Sequence, residues 1–312
     1  MRKFISKFLL YAIAAFGLAL AMDVTVCSGL LKMEDYRFQD YAAMLKGGMD
    51  NDILIMGNSR GKSHYDTAIV DSLGNASSFC IGVGGYPLTV QLLKYHLYTE
   101  HNRKPSVIIQ DIDLGCFNGV TDVRHQHQSE QFFPLVYDPL MRRELKSVGY
   151  GFPELSIPMY RMYGYQQVIK NGLLESLHLK HYVSFPAYKG HRPEEGEWNG
   201  TELKRMEPFE AELRNGSKSL FEDYLAGCKN DSIRMILVYS PMYAGAREKI
   251  SGLDKVRSYF DETARKYGFD YLDYLDSPIC KDTNNFCVSV HMNPQATEQF
   301  TIQLMNDIND LL

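Results

Sequence analysis

Short apolar runs that alternate with helical segments are the feature that most constrains the fold of this chain. Strands are predicted at residues 52–56, 78–83, 106–112, 234–239 and 270–272. Helices are predicted at residues 65–73, 87–100, 210–228, 250–267 and 294–311. Strands that alternate with helices in this way form right-handed crossovers and a parallel sheet covered on both faces. The sequence therefore predicts a three-layer α/β/α fold with a five-stranded parallel sheet.

Composition is that of a folded globular protein. The 312 residues are 45% hydrophobic and 23% charged, which supplies ample material for a core and argues against disorder. The net charge is −5, and no basic run occurs downstream of the N-terminus. The electrostatic footprint of a nucleic-acid-binding protein is therefore missing, and nucleic acid is not an expected partner.

The first 30 residues differ from the rest of the chain. Arg2, Lys3 and Lys7 precede an uncharged apolar run at residues 8–22, which ends at Asp23. Cations followed by such a run are typical of an export signal or a membrane anchor. The run is short for a bilayer span, which needs roughly 20 residues, unless the span extends to residue 26 with Asp23 at the interface.

Both fates of this segment stay open. Residues 19–21 fit a small-x-small cleavage site, but we favour an uncleaved anchor over residues 1–30. In either case the remaining chain is exported. An anchored chain is held at the cell membrane with its domain extracytoplasmic (periplasmic), whereas a cleaved one is secreted.

The exported part, residues 31–312, is predicted to be one α/β domain, because no proline- or serine-rich linker divides it. Residues 35–45 are predicted as a helical lead-in. The strand and helix alternation stops from about residue 115 to 204, where aromatic residues, histidine, glycine and proline are frequent. We interpret this stretch as a long insertion after the third strand, with short helices around 139–146 and 158–175.

Six cysteines occur in the chain. Export permits disulfides, and Cys280 and Cys287 close a short loop directly upstream of His291, so this pair is the predicted disulfide. Three others are predicted to be small buried residues, namely Cys80, Cys116 and Cys228.

Two distant segments carry the residues that suggest chemistry. Ser59 follows the first predicted strand after a Gly-Asn turn, so that the turn presents its hydroxyl at a strand end. A Gly-Val-Gly-Gly turn at residues 82–85 follows the second predicted strand. Near the C-terminus, His291 precedes the last predicted helix in the sequence Val-His-Met-Asn. Serine and histidine in these positions suggest one nucleophile and base pair.

Together, the motifs at 57–59, 82–85 and 290–293 resemble the SGNH (GDSL-like) hydrolase superfamily, and in particular its membrane-anchored bacterial branch associated with envelope polysaccharide acylation. The resemblance covers most of residues 50–312 in the order of elements. It implies the flavodoxin-like SGNH hydrolase fold and serine chemistry without a cofactor.

By this resemblance Ser59 is the nucleophile and His291 the general base. The backbone N–H groups of Ser59 and of Gly84 or Gly85 are the expected oxyanion donors, because acyl transfer builds negative charge on the carbonyl oxygen. Asn58 replaces the aspartate or serine that more commonly precedes the nucleophile.

The chain departs from the family pattern in two places. Val288 occupies the position of the aspartate that orients the histidine. Three explanations compete: a Ser-His dyad whose imidazole is held by a backbone carbonyl, a replacement acid such as Asp282 brought in by the cysteine loop, or loss of activity. The side-chain oxyanion donor after the third strand is also not identified, and Asn118 is the nearest asparagine.

Further polar residues are candidates for lining the site. Asp111 and Asp113 follow the third strand at the carboxyl edge of the sheet, where they either line the site or cap the next turn. Arg60 lies beside Ser59 and either attracts an anionic glycan or is a solvated helix-start residue. Asn293 is two residues past His291.

No metal site is predicted. His125 and His127 have a spacing that can bind a metal, but the sequence fixes no third ligand.

The functional hypothesis is an extracytoplasmic SGNH-like serine esterase or O-acyltransferase that acts on acyl groups of an envelope polysaccharide or exopolysaccharide. Its substrate is an acylated polysaccharide or a small ester. The alternative is a catalytically impaired protein that binds glycan or scaffolds a membrane-bound O-acyltransferase.

Overall fold

The computed structural model describes residues 1–119, 122–124 and 126–312. The chain forms two compact units, one of residues 1–46 and 121–187 and one of residues 47–120 and 188–312. The first unit thus joins the N-terminal segment to most of the stretch that the sequence marks as an insertion.

The sheet strands are β1 Ile53–Met56, β2 Ser78–Cys80, β3 Val107–Asp111, β4 Arg234–Tyr239 and β5 Asp270–Asp273. The helices of the first unit are α1 Arg2–Leu30, α2 Tyr36–Lys46, α6 Pro139–Ser147, α7 Phe152–Ser156 and α8 Gln166–Ser176. The helices of the second unit are α3 Ser59–Ser63, α4 Thr67–Gly74, α5 Leu88–His101, α9 Thr201–Arg205, α10 Asn215–Asn230, α11 Ala244–Arg247, α12 Leu253–Tyr267 and α13 Pro294–Ile308.

All five strands pair in parallel in the order β2-β1-β3-β4-β5. This confirms the predicted five-stranded parallel sheet. The order is that of flavodoxin-like doubly wound folds, in which ligands bind outside the carboxyl ends of the strands where the order reverses. In this chain that place is the edge where β1 and β3 end.

Helices cover both faces of the sheet, as the three-layer prediction requires. On one face, Ile55 and Ile109 pack with Phe300 of α13 in a buried cluster. On the other face, the Tyr224 hydroxyl of α10 contacts the Met56 sulfur at 3.2 Å. Alternate residues of β1 therefore point to opposite helical layers, and burial on both faces explains why β1 is apolar throughout.

Two predicted helices begin later than expected. Residues 209–210 and 250–251, which the predictions place at or beside helix starts, instead form a two-residue parallel pair. Gly252 then adopts a left-handed conformation at φ 72°, and α12 begins after it. In the first unit, Gly164 at φ 89° separates a short 3-10 turn at Tyr160–Met162 from α8, where one helix over 158–175 is predicted.

Helix α1 has two parts. Residues 1–22 are exposed except for the half-buried Ala19, whereas Asp23, Val26 and Leu30 are buried. The buried part lies against α8, where a Cβ atom on Gly29 would meet the Gly172 carbonyl oxygen at 1.7 Å. By length and composition α1 can cross a membrane or serve as a signal sequence.

The predicted disulfide is wrong. Cys280 and Cys287 are both buried free thiols. The Cys280 thiol donates to the carbonyl of Tyr274 at 3.3 Å, and the Cys287 thiol donates to the carbonyl of Glu194 at 3.4 Å. Each sulfur thus has its own backbone partner. The predicted buried thiols, Cys80, Cys116 and Cys228, are free and buried as well.

Candidate active site

A tight turn delivers Ser59 from β1 to the carboxyl edge of the sheet. Gly57 has φ 147°, and a Cβ atom there would lie 2.8 Å from the Asp111 Cβ and 2.9 Å from the Gly61 Cα, so only glycine fits. Asn58 caps α3, since its Oδ1 accepts from the Arg60 N–H at 2.9 Å. Ser59 then begins α3 and is half-buried.

His291 lies against the same short helix. It belongs to a two-residue strand, His291–Met292, that pairs with Phe286–Val288. Its Nδ1 is 3.5 Å from the Oγ of Ser63, and the Ser63 hydroxyl donates to the Ser59 carbonyl at 2.9 Å. Ser63 is one helical turn after Ser59, so the structure brings the predicted nucleophile and the predicted base to one helix.

The hydrogen bonds around Ser63 indicate the tautomer of His291. Because the Ser63 hydroxyl already donates to the Ser59 carbonyl, its oxygen is available as an acceptor for His291. Nδ1 of the neutral imidazole is therefore assigned the proton, and Nε2 keeps the lone pair. That is the tautomer a general base needs. Ser63 itself is buried, whereas Ser59 is half-buried, which favours Ser59 as the nucleophile.

Burial lowers the pKa of His291, and the charge of Arg60 lowers it further. The carboxylates of Glu194, Asp113 and Glu202 act in the opposite direction without reversing the shift. The imidazole is therefore neutral at pH 7, as proton abstraction from a serine requires.

The glycine turn lies beside the serine. A Cβ atom on Gly84 would lie 3.9 Å from the Ser59 Cβ, and Gly85 has φ 77°. The Val83 N–H donates to the Gly57 carbonyl at 2.9 Å, which ties this turn to the turn that precedes Ser59. The two segments predicted to supply oxyanion donors are thus neighbours.

Asn58 also joins this site to the end of β3. Its Nδ2 donates to the Asp113 Oδ1 at 2.9 Å, and the same oxygen accepts from the Cys116 N–H at 3.1 Å. Asp113 thus caps the next turn. Together with Arg60 and Asn118 it also lines a cavity of about 380 Å³, which reaches the residue preceding His291.

Arg60 is buried, not solvated. Its guanidinium lies 3.5 Å from Asp113 and 3.9 Å from Asp111, and it stacks over the Tyr239 ring at 5.1 Å. Asp111 is completely buried and accepts from the Tyr65 hydroxyl at 2.6 Å. Burial raises the pKa of Asp111, while the charge of Arg60 opposes that rise. The buried pair of Arg60 and Asp111 therefore has a structural role beneath the site.

Other predicted residues have structural roles. Asp282 accepts from the Asn284 N–H at 2.9 Å, so it caps a turn. Asn293 caps α13, because its Oδ1 accepts from the Ala296 N–H at 3.0 Å. Val288 is paired directly with His291 across the short strands. His125 of the His-x-His motif lies outside the described residues.

The sequence predictions assigned no role beside the base to several residues that lie there. His64 lies next to the base, with ring centroids 5.8 Å apart. Its Nε2 accepts from the Met292 N–H at 3.2 Å, so its Nδ1 donates to the Ser240 Oγ at 2.9 Å. Ser63 and His64 were detectable as the residues one turn past Ser59. The acids Glu194 and Glu202 were not, because no local pattern marks them.

No family model matches the sequence, and no curated protein matches it. The solved structures that are similar to the chain include the following two. A protein of Desulfitobacterium hafniense attributed to the G-D-S-L family of lipolytic proteins is 10% identical, with a TM-score of 0.38, over 84% of this chain and 100% of its own. A Bacteroides fragilis protein considered an acylhydrolase is 12% identical, with a TM-score of 0.35, over 87% of this chain and 94% of its own.

Similarity at 10% and 12% identity does not extend to the side chains of a site. Activity is therefore inferred from the geometry around Ser59 and His291.

Proposed function

We propose that the chain is a serine esterase or O-acyltransferase of the SGNH (GDSL-like) type, with Ser59 as nucleophile and His291 as base. The main observation in support of the proposal is that Ser59 and His291 both lie at α3. Ser59 begins the helix half-buried, and the neutral His291 contacts the helix one turn further on.

The chemistry follows from this arrangement. His291 Nε2 takes the proton of Ser59 as its Oγ bonds to the acyl carbonyl carbon. The N–H groups of Ser59 and of Gly84 or Gly85 stabilise the oxyanion. The ester C–O bond then breaks, and the leaving alcohol receives the proton from His291. Water or a sugar hydroxyl then gives its proton to His291 and attacks the acyl carbon. The bond from that carbon to Ser59 Oγ breaks, and Oγ takes the proton back from His291, which completes hydrolysis or transfer.

The proposed substrates are acyl esters of an envelope polysaccharide or exopolysaccharide. The cavity of about 380 Å³ near Arg60 and Asn118 is within the size range of small-molecule sites. Helix α1 would hold the chain at the membrane, where a membrane-bound O-acyltransferase could supply or receive the acyl group.

The test uses the full chain in detergent with a fluorophosphonate probe and p-nitrophenyl acetate. We expect peptide mass spectrometry to find the probe on Ser59, and both labelling and hydrolysis to be lost in Ser59→Ala. The matched control is Ser147→Ala, an exposed serine whose hydroxyl donates to the nearby carbonyl of Glu144. Labelling of another serine, or equal rates in wild type and Ser59→Ala, would contradict the proposal.

A second candidate function is a catalytically impaired protein that binds glycan or scaffolds an acyltransferase. Val288 favours it, since the residue paired with His291 supplies no charge to stabilise an imidazolium. This candidate would be supported if wild type and Ser59→Ala bound acetylated glycan with the same affinity and neither protein hydrolysed the glycan ester or p-nitrophenyl acetate.

A further inference from the structure

The apolar helix α1 changes its surroundings at a single residue. Asp23 is completely buried, and its carboxylate accepts from Arg161, from the Tyr137 hydroxyl at 2.6 Å and from the Met159 N–H at 2.6 Å. The preceding 22 residues are exposed except for the half-buried Ala19. The helix is therefore exposed and apolar before Asp23, and from Asp23 onwards one side of it packs into the protein.

The exposed part is only just long enough to cross a bilayer. Residues 4–22 rise about 28 Å at 1.5 Å per residue, close to the roughly 30 Å of a hydrocarbon core. Lys7 lies within this stretch and would extend its ammonium group towards the headgroups. No spare length is left between bilayer and protein. If α1 spans, the protein surface around Asp23 must lie at the level of the headgroups.

Large apolar side chains are exposed at that level. Ile157, Tyr160 and Tyr163 have 42%, 50% and 89% of their surface exposed. They line one cleft of about 640 Å³ that also reaches Arg161, the ion-pair partner of Asp23. We call these three residues the tyrosine face. Exposed apolar patches mark interaction sites, and tyrosine is enriched where membrane meets water.

We propose that the tyrosine face rests on the lipid bilayer beside the point where α1 leaves it. The phenol rings would lie at the boundary of the acyl chains with their hydroxyls towards the headgroups. The arginines of the cleft are already paired, Arg161 with Asp23 and Arg124 with Asp122 and Glu154. The contact is therefore with neutral lipid through aromatic insertion and does not need anionic lipid.

The direction of the chain provides a matched control position. Arg161 lies beside Asp23, and Gly172 lies beside Gly29, so the chain from 161 to 172 runs in the same direction as α1. Gly29 is six residues past Asp23, which places it roughly 9 Å further from the bilayer. Leu179, which follows the C-terminal end of α8 and is 70% exposed, is therefore a distant counterpart of Tyr163.

The experiment uses full-length protein in phosphatidylcholine vesicles with brominated acyl chains. Trp198 is the single tryptophan, so Tyr163→Trp and Leu179→Trp are each made in a Trp198→Phe background. We expect brominated lipid to quench the Tyr163→Trp variant at least about two-fold and to leave the Leu179→Trp variant unchanged, with or without added phosphatidylglycerol. Equal quenching of both variants, or of neither, would overturn the proposal.

Two further outcomes would also count against it. Quenching that appears only with phosphatidylglycerol would mean that charge, and not aromatic insertion, makes the contact. A fluorescence change of the Tyr163→Trp variant with soluble oligosaccharide, without quenching by brominated lipid, would assign the cleft to a sugar. Tyr163 is almost fully exposed, so its substitution should leave the melting temperature unchanged, and this is measured in parallel.

Discussion

The Nδ1 atom of His291 lies 3.5 Å from the hydroxyl oxygen of Ser63, where a triad would place a carboxylate. A hydroxyl can hold the imidazole in the tautomer that leaves Nε2 free. It adds no negative charge to stabilise the imidazolium that forms when Ser59 loses its proton. Disabling the triad acid in serine proteases lowers kcat by roughly 10⁴-fold. We therefore expect this site to have low but measurable turnover.

A carboxylate introduced beside the base should therefore accelerate turnover. Val288 pairs with His291 and is half-buried, so Val288→Asp puts an acid close to the imidazole. We expect kcat for p-nitrophenyl acetate to rise at least about ten-fold, because the charge stabilises the protonated base. Val288→Asn has the same shape without the charge and should show no gain. Equal rates in both variants would mean that charge does not limit the site.

The same base should set the pH dependence. Burial lowers the pKa of His291, so wild-type kcat/KM should reach its plateau by pH 7 and fall on the acid side at a pH below the ordinary 6.5. Val288→Asp should move this acid limb to higher pH, since a nearby carboxylate favours the protonated imidazole. Rates measured from pH 4.5 to 8 check both statements. A wild-type limb above pH 6.5 would conflict with a buried neutral base.

Much of the fold could be predicted because local patterns in the amino-acid sequence indicate it. Strands β1, β3 and β4 are short, mainly apolar runs, and the run at β1 is followed directly by the Gly-Asn-Ser turn. These signals depend only on neighbours in sequence, and they also located Ser59 and His291. The flavodoxin-like strand order adds the reason why residues after β1 and β3 share one edge.

The rest depends on contacts between residues far apart in sequence. Asp23 of the apolar helix is paired with Arg161, 138 residues away, and no local pattern shows that the two belong together. Glu194 acts on His291 from a stretch without periodicity. The prediction of a disulfide was wrong for a related reason. The short spacing between Cys280 and Cys287 allows a bridge, but in the fold each thiol donates to a different backbone carbonyl.

His64 should make the fold sensitive to acid. Complete burial, followed by the charge of Arg60, lowers its pKa well below 6.5. The unfolded chain therefore binds this proton more readily, so stability is complete above about pH 6.5 and is lost as pH falls towards the folded-state pKa. Urea unfolding at pH 7.5 and 5.5 should show a smaller loss of stability in His64→Gln than in wild type. The same loss in both would exclude His64 as the cause.

The ion pair at the base of α1 should hold the helix in its unit. Asp23 and Arg161 are both buried, and removal of one partner leaves an unpaired buried charge. We expect Asp23→Asn to lower the unfolding free energy by about 3 kcal/mol. The double variant Asp23→Asn with Arg161→Met should recover part of this loss, because it removes the orphaned cation as well. Chemical unfolding in detergent measures both, and an additive double variant would show that the two residues do not interact.

Two glycines of one turn should separate catalysis from folding. A methyl group at Gly84 would meet the Ser59 Cβ at 3.9 Å, an ordinary contact, whereas one at Gly82 would meet the Lys62 backbone nitrogen at 2.6 Å. Gly84→Ala should keep its stability within about 0.5 kcal/mol but lose at least about ten-fold in kcat/KM for bulky esters. Gly82→Ala should instead lose about 2 kcal/mol or more of stability. Thermal melts and ester kinetics on both variants test this prediction. If Gly84→Ala lost stability but kept the kinetics of wild type, the turn would not be part of the catalytic site.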